Sequence, residues 1–277
     1  MDLCGSMHVQ SINGKRYVLV VVDDYSRYTW VFFLHSKDEA SDVIISFIKK
    51  TQVNLQLQVQ RVQTDNGTEF KNKTLAKFFD EAGITQQFSA ARTPQQNGFV
   101  ERRNRTLVEP NKTLAKFFDE VGITQQFSAA RMPQQNGVVE RRNRTLVEAA
   151  RTMLTFANLP TFIWAEAIAT ACFTQNRLII HKCFDKTPYE LINKRKPNIK
   201  FFRVFGCRCY LLNDYDDVGK LKAKGDVRVF VGYSKESDAF RIYNKRTRKI
   251  HESVNVNFDE ISEMASKQFS LEPGLPK

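Results

Sequence analysis

Three acidic residues have the types and the spacing of a divalent-metal site. Asp65 follows a predicted strand and directly precedes Asn66-Gly67, Glu101 lies near the start of a predicted helix, and 35 residues separate the two. Asp2 lies in a segment suited to a first strand. Carboxylates at two strand ends and on one helix can converge, and their oxygens are ligands that Mg²⁺ and Mn²⁺ prefer. A pair of such ions, about 3.5–4 Å apart, supports phosphoryl transfer, so the pattern predicts this chemistry.

Simpler interpretations exist for each residue taken alone. An Asp-Asn-Gly sequence is most often a turn, and a glutamate on a helix is most often solvated. Asp23 and Asp24 compete for the metal role, but they lie between two predicted hairpin strands, which favours a solvated turn. The joint pattern on an α/β scaffold in a basic chain is what favours a metal site.

A tandem repeat duplicates one of the candidate ligands. Residues 72–109 and 111–148 differ at three positions only, and Glu140 occupies in the second copy the place of Glu101 in the first. Solenoid repeats diverge more than this and need about three copies to bury a core. The repeat therefore indicates a recent duplication, 72–110 and 111–149, inside a fold that needs one copy, and Glu140 has an equal claim to be the third ligand.

The two copies compete for one place in the core. The first copy follows Asp65 through a short helix and strand, and such a local connection costs little loop-closure entropy. The second copy has the longer helix, because Pro110 stops the first one, and an apolar stripe runs from Val139 to Ala157 along it. We expect the first copy in the core, with Glu101 beside the metals. The spare strand, 123–127, would then be free to add at the edge of the sheet.

The predicted elements indicate two kinds of architecture. A β-hairpin, helix, strand, helix and strand precede the junction of the repeat, which indicates a mixed α/β sheet. Residues 36–39 have the pattern of a capping box that starts the first helix. Short strands between residues 202 and 258 indicate a small all-β barrel. The predicted bounds are strands 17–22, 28–34, 59–64 and 84–88, a helix 73–81, and a further helix that begins at Pro160 and Thr161.

The charge of the chain indicates a polyanionic partner. Its net charge is +12, and its pI is about 9.5. Basic residues follow each candidate glutamate, and a helix that brings the glutamate to a metal would bring them to DNA phosphates. A solvated charged face is the alternative. The candidate DNA-binding residues are Arg102, Arg103, Arg105, Arg141, Arg142 and Arg144.

The remaining composition favours an intracellular protein. The five cysteines lack the paired spacing of a zinc site, so we expect reduced thiols. No apolar run reaches the roughly 18 residues that a membrane span needs, so we expect no membrane partner. The first residues lack the features of a signal peptide.

Several motifs together resemble the integrase of copia-type LTR retrotransposons, within the retroviral integrase superfamily. The resemblance covers nearly the whole chain. The matching segments are Asp2–Gly5, Val22–Tyr28, Thr64–Phe70, Pro94–Arg102, Phe162–Ala167, Lys186–Glu190 and Phe202–Cys207.

This resemblance implies a fold, an activity and a set of ligands. It implies a ribonuclease-H-like core with an Asp, Asp, Glu triad that binds Mg²⁺ or Mn²⁺, and the motifs place that triad at Asp2, Asp65 and Glu101 or Glu140. It also implies an SH3-like barrel after the core, element and target DNA as partners, a homo-oligomer if the chain is active, and a nuclear location.

The resemblance and the patterns together divide the chain into four segments. We expect a catalytic core over residues 1–165, a helical and basic linker over 166–201, an SH3-like barrel over 202–260 and a tail over 261–277. The family has residues ahead of the first Asp and an upstream zinc-binding module, and it lacks the duplication. We therefore expect a fragment of a Pol polyprotein whose activity is reduced or lost. The alternatives are a DNA-binding remnant without activity and a ribonuclease-H-type hydrolase.

Overall fold

A computed structural model describes residues 1–65, 67–88, 133–181, 183–211, 228–234 and 237–259. They belong to two compact units, Met1–Leu57 with Val139–Lys277 and Gln58–Val138. The helices are α1 Ala40–Leu55, α2 Lys73–Glu81, α3 Pro133–Phe156, α4 Trp164–Leu178 and α5 Pro188–Asn193. The strands are β1 Asp2–Cys4, β2 Tyr17–Val22, β3 Thr29–Leu34, β4 Arg61–Thr64, β5 Thr85–Phe88, β6 Arg208–Leu211, β7 Arg228–Tyr233, β8 Phe240–Asn244, β9 Lys249–Ser253 and β10 Val256–Asp259.

The first unit begins with an antiparallel sheet in the order β1-β2-β3. Asp2 pairs with Val20, and the predicted hairpin of β2 and β3 is confirmed. Its turn is held by Asp23, whose Oδ2 accepts hydrogen bonds from the backbone N–H and the hydroxyl of Ser26. Asp24 forms an ion pair with Arg27 at 2.5 Å. Both aspartates therefore stabilise the turn, as their position in the sequence predicts.

Helix α1 packs against the hairpin but begins later than predicted. Ile44 and Ile48 are buried, and the ring of Phe47 lies 5.1 Å from that of Trp30. The predicted capping box is wrong, because the N-cap is Glu39 and no side chain caps the helix there. The carboxylate of Glu39 instead accepts a hydrogen bond from the backbone N–H of His35 at 3.0 Å.

The second unit contains the strand that leads to Asp65. Strand β4 pairs in parallel with β5, with Thr64 opposite Phe88, and α2 connects the two. The side chain of Asn72 caps α2 by accepting from the N–H of Leu75. Gly83 follows the helix with φ +66, a conformation that favours glycine. The predicted strand–helix–strand order is confirmed, although each strand begins one or two residues later than expected.

Helix α3 comes from the second copy of the repeat and packs in the main hydrophobic core. Leu146 and Ala150 are buried in the same cluster as Val18 and Val20 of β2. The first copy was expected to supply this helix, so that prediction is wrong for the helix. The apolar stripe of α3 continues past the repeat to Phe156, and burial of this stripe favours its place in the core. The corresponding residues of the first copy lie outside the described residues.

Helix α4 is a core helix rather than part of a linker. Its residues Ala167, Ile168 and Ala171 belong to the same hydrophobic cluster as α3. The predicted boundary between residues 165 and 166 therefore falls inside a buried helix. The amide of Asn176 pairs with the backbone of Thr29, accepting from its N–H at 2.9 Å and donating to its C=O at 2.7 Å.

The C-terminal strands form an antiparallel sheet in the order β10-β6-β7-β8-β9, in agreement with the predicted SH3-like domain. Val229 and Val231 pack into the same cluster as α4, whereas Phe230 and Ile242 form a second cluster. Two polar contacts fix α4 to this sheet. Thr170 donates to the C=O of Val231 at 3.0 Å, and buried Glu166 pairs with Arg241 at 3.2 Å.

No helix within the described ranges is long and apolar enough to cross a lipid bilayer.

Candidate metal and nucleic-acid site

The carboxylate of Asp2 is held by the helix of the second copy. Its Oδ2 accepts a hydrogen bond from the amide nitrogen of Asn143, which lies 141 positions further along the chain. Asn143 is 7% exposed, and its Oδ1 has no hydrogen-bond partner among the residues that the structure describes. Burial raises the pKa of the neighbouring Cys4 thiol, and the negative charge of Asp2 raises it further.

The surroundings of Asp2 fit a divalent cation. An unpaired buried oxygen costs roughly 1–3 kcal/mol, so the oxygen of Asn143 lacks a partner that a cation would supply. Carboxylate and amide oxygens are both hard ligands of the kind that Mg²⁺ and Mn²⁺ accept. Asp2 and Asn143 therefore provide two suitable donors from β1 and α3.

Glu140 and Glu101, the two candidates for the third metal ligand, lie in different copies of the repeat. Glu140 lies in α3, three residues before Asn143. Glu101 lies outside the described residues, as do Arg102, Arg103 and Arg105.

The side chain of Asp65 is oriented by a hydrogen bond within the loop that follows β4. It directly follows β4, and its Oδ1 accepts a hydrogen bond from the backbone N–H of Gly67 at 3.2 Å. This is an Asx-type turn, in which the side chain bonds the backbone two residues further on. Asp65 is half-buried.

The predicted metal triad stays a prediction. Asp2 belongs to the first compact unit and Asp65 to the second. Among the residues that the structure describes, no group of three or more His, Cys, Asp or Glu side chains is arranged to hold a metal ion.

The three arginines that follow Glu140 differ in their surroundings. Arg141 and Arg144 are exposed, whereas Arg142 is half-buried. The guanidinium of Arg142 donates to the side-chain oxygen of Gln175 in α4 at 3.3 Å, and burial lowers its pKa. Only Arg142 of the three is built into the packing between helices, which their spacing alone did not show.

Sequence reasoning missed a second half-buried arginine, Arg177, which lies in α4. Its guanidinium lies over the ring of Phe173 at 3.6 Å and over that of Tyr189 at 4.5 Å. Burial is the main cause that lowers the pKa of Arg177. The pair Phe173 and Arg177 has helical i, i+4 spacing, so part of this arrangement was visible in the sequence.

Two protein families match separate parts of the chain. Residues 1–94 match the family described as integrase core domain, and residues 207–270 match the retroviral polymerase SH3-like domain. The first match covers the N-terminal part of the described fold, and the second contains all five strands of the C-terminal sheet.

Similar proteins come from plant transposons and from a retrovirus. The chain is 27% identical over 94% of its length to the retrovirus-related Pol polyprotein from transposon TNT 1-94 of Nicotiana tabacum, and it covers 17% of that protein. It is 28% identical over 92% of its length to the retrovirus-related Pol polyprotein from transposon RE1 of Arabidopsis thaliana, and it covers 15% of that protein. The chain thus spans about one sixth of the length of these relatives. A solved structure, the HTLV-2 integrase catalytic core domain in complex with magnesium (trimeric form), is 18% identical with a TM-score of 0.40, and the match covers 69% of this chain and 95% of that one.

Proposed function

We propose that the chain, which matches the integrase core domain and the retroviral polymerase SH3-like domain, is the integrase region of a copia-type retrotransposon Pol polyprotein. In this role it processes the 3′ ends of element DNA and joins them to target DNA. The observation that carries the proposal is the contact between Asp2 and Asn143, which places a carboxylate beside a buried oxygen without a partner.

The proposed ligands are Asp2, Asp65 and Glu140. Glu140 replaces Glu101 as the preferred third carboxylate, because α3 of the second copy is the helix that contacts Asp2. When bound, two Mg²⁺ or Mn²⁺ ions would supply charge stabilisation for the attacking and leaving oxygens of phosphoryl transfer. Glu101 is retained as the alternative that the first copy offers.

The side chains around these carboxylates have a positioning role. Asn143 fixes the orientation of Asp2 by donating to one of its oxygens, and Gly67 does the same for Asp65 through its backbone N–H. Such partners keep ligands in one rotamer, which lowers the entropy lost when the site is filled. In the first reaction water cleaves the element strand near its 3′ end, and in the second the freed 3′-OH attacks a target phosphodiester.

DNA binding follows from the positive charge. Arg141 and Arg144 are exposed on α3 and available to backbone phosphates. We expect the affinity for duplex DNA to fall steeply as salt increases and to depend little on sequence. Unchanged affinity between low and physiological salt would contradict this mode of binding. The proposal also includes that copies of the chain associate with one another when they bind element DNA and target DNA. It further includes that the protein acts in the nucleus.

A strand-transfer assay tests the activity. The full chain is incubated with Mn²⁺, a labelled duplex that ends in the terminal sequence of the element, and a target duplex. Joined products support the integrase, and their absence together with intact DNA binding supports an inactive DNA-binding remnant. A parallel RNA–DNA hybrid separates the third possibility, because a ribonuclease-H-type hydrolase would cleave the RNA strand and join nothing.

A further inference from the structure

The loop that carries Asp65 is held at both ends by one side chain of the neighbouring strand. The loop begins after Thr64, the last residue of β4, and ends at Phe70, which is fully buried. The side-chain nitrogen of Gln86 in β5 donates to the C=O of Phe70 at 3.0 Å and to the hydroxyl of Thr64 at 3.4 Å. A primary amide has two N–H groups, so a single NH₂ can serve both acceptors. Gln86 therefore joins the two ends of the Asp65 loop.

The position of Gln86 in its strand is suited to this contact. The other three residues of β5 are exposed, whereas Gln86 is half-buried. It lies opposite Val62 of β4, and its side chain reaches along that strand to Thr64. Thr64 and Phe70 are both buried, so water competes less for these hydrogen bonds than it would at the surface. The amide of Gln86 is thus directed to the loop rather than to solvent.

Bonds inside the loop orient the carboxylate of Asp65, and Gln86 secures the backbone that carries them. The N–H of Gly67 donates to Asp65, and the C=O of Gly67 accepts from the N–H of Phe70 at 3.2 Å. The backbone of Gly67 thus connects Asp65 to Phe70. Because Gln86 holds the C=O of Phe70, loss of that bond would loosen the partner of the carboxylate.

We propose that Gln86 is a positioning residue for Asp65, which keeps the loop in the conformation that presents the carboxylate to a divalent cation. The proposal rests on the proposed function, because it takes Asp65 as a metal ligand. Partners that orient a ligand contribute to metal affinity, and their loss typically weakens it by about 10–100-fold. The alternative is that Gln86 only supports the pairing of β5 with β4, which would leave metal affinity unchanged.

Hydrogen exchange in EDTA tests whether Gln86 holds the loop, independently of any metal. The full chain is compared with Gln86→Met, because methionine has a similar size and shape but no N–H donor. Gln87→Met is the control within β5. Gln125→Met is the control in the second copy, where Gln125 lies in the same local sequence, Ile-Thr-Gln-Gln-Phe. We expect faster exchange at residues 67–71 in Gln86→Met alone, with unchanged exchange in α2, because only the loop is released.

Calorimetric titration with Mn²⁺ tests whether the held loop serves the metal. We expect the dissociation constant to rise by about 10–100-fold in Gln86→Met and to stay unchanged in both controls. Asp65→Asn gives the reference for loss of the ligand itself. Thermal unfolding in EDTA checks that each variant is folded. If Gln86→Met does not fold, Gln86→Asn takes its place with the same expected changes, since its amide is one methylene shorter and no longer reaches both acceptors.

Several outcomes would overturn the proposal. Unchanged exchange of the loop in Gln86→Met would mean that other contacts hold it, and faster exchange with unchanged Mn²⁺ affinity would mean that Gln86 serves strand pairing only. Faster exchange in α2 as well, or the same changes in either control, would also contradict a specific role. A wild-type chain that binds no Mn²⁺ would overturn the metal site and this proposal together. Weaker Mn²⁺ binding in Gln86→Met, beside a wild-type chain that joins no DNA, would support this proposal and disprove only the integrase activity.

Discussion

Asp2 and Asp65 have the same predicted role but are positioned in opposite ways. Asp65 is oriented by Gly67, two residues away, whereas Asp2 is oriented by Asn143, 141 residues away. A local turn forms wherever its short sequence occurs, but a tertiary contact depends on everything that lies between its partners. Asn143 belongs to the second copy of the repeat, so it is Asp2 whose surroundings depend on which copy supplies the helix.

Each copy of the repeat supplies described elements beside one of the two aspartates. The described part of the first copy, α2 and β5, follows the strand that leads to Asp65, and the described part of the second copy, α3, packs beside Asp2. Residues 72–88 of the first copy and 133–148 of the second are different parts of the repeat unit, so the described segments together amount to nearly one copy. The first copy follows β4 directly, and the second continues into the apolar residues that end at Phe156.

The substitution Asp65→Asn should have the largest effect on activity. A neutral amide is a poorer ligand for a hard cation, so we expect Mn²⁺-dependent strand cleavage to be lost and DNA binding to be retained. Cleavage is measured on a labelled duplex, and binding is measured in EDTA. If the purified variant still cleaves, Asp65 is not a ligand.

The pair Glu140→Gln and Glu101→Gln decides which copy serves the site. We expect Glu140→Gln to reduce strand transfer by more than the roughly 10–100-fold typical of residues that only support a ligand. Glu101→Gln should change it little and is the matched control, because the two positions have nearly the same local sequence. The reverse result would show that the first copy supplies the carboxylate.

The contact that positions Asp2 can be tested by Asn143→Ala. Removal of the amide takes away a partner that fixes the carboxylate, and we expect a loss of about 10–100-fold in metal-dependent activity. Thr145→Ala is the control, since Thr145 is exposed on the same helix and bonds only the C=O of Arg141 among the described groups. Equal activity of the two variants would mean that Asp2 is positioned without Asn143.

Deletion of residues 94–132 tests whether one copy suffices, and we expect the smallest effect here. The deletion keeps α2, β5 and α3 and shortens the connection between β5 and α3 from 44 residues to five. A shorter connection costs less closure entropy. We therefore expect a higher melting temperature in calorimetry. A lower one would show that the deleted segment contributes to the stability of the fold.

The sequence predicted the elements whose formation depends on short-range patterns. Alternating apolar residues located the hairpin, and the bounds of α2 agree with the prediction. It did not predict which copy forms the core helix, because that choice depends on the total apolar area buried in the folded chain. It also placed α4 in a linker, since nothing local shows that Ala167 and Ala171 contact strands far away in the sequence.

The hydrogen bonds between Asn176 and Thr29 affect whether strand β3 can pair with a strand of another molecule. Among the described strands, β3 is an outer strand of its three-stranded sheet, and the exposed backbone of an outer strand can recruit a strand from another molecule. At Thr29 both the N–H and the C=O are already bonded to the amide of Asn176, and the thiol of Cys172 donates to the same oxygen at 3.1 Å. An incoming strand would have to break these buried bonds before it could pair there. Helix α4 thus protects this end of the strand against aggregation.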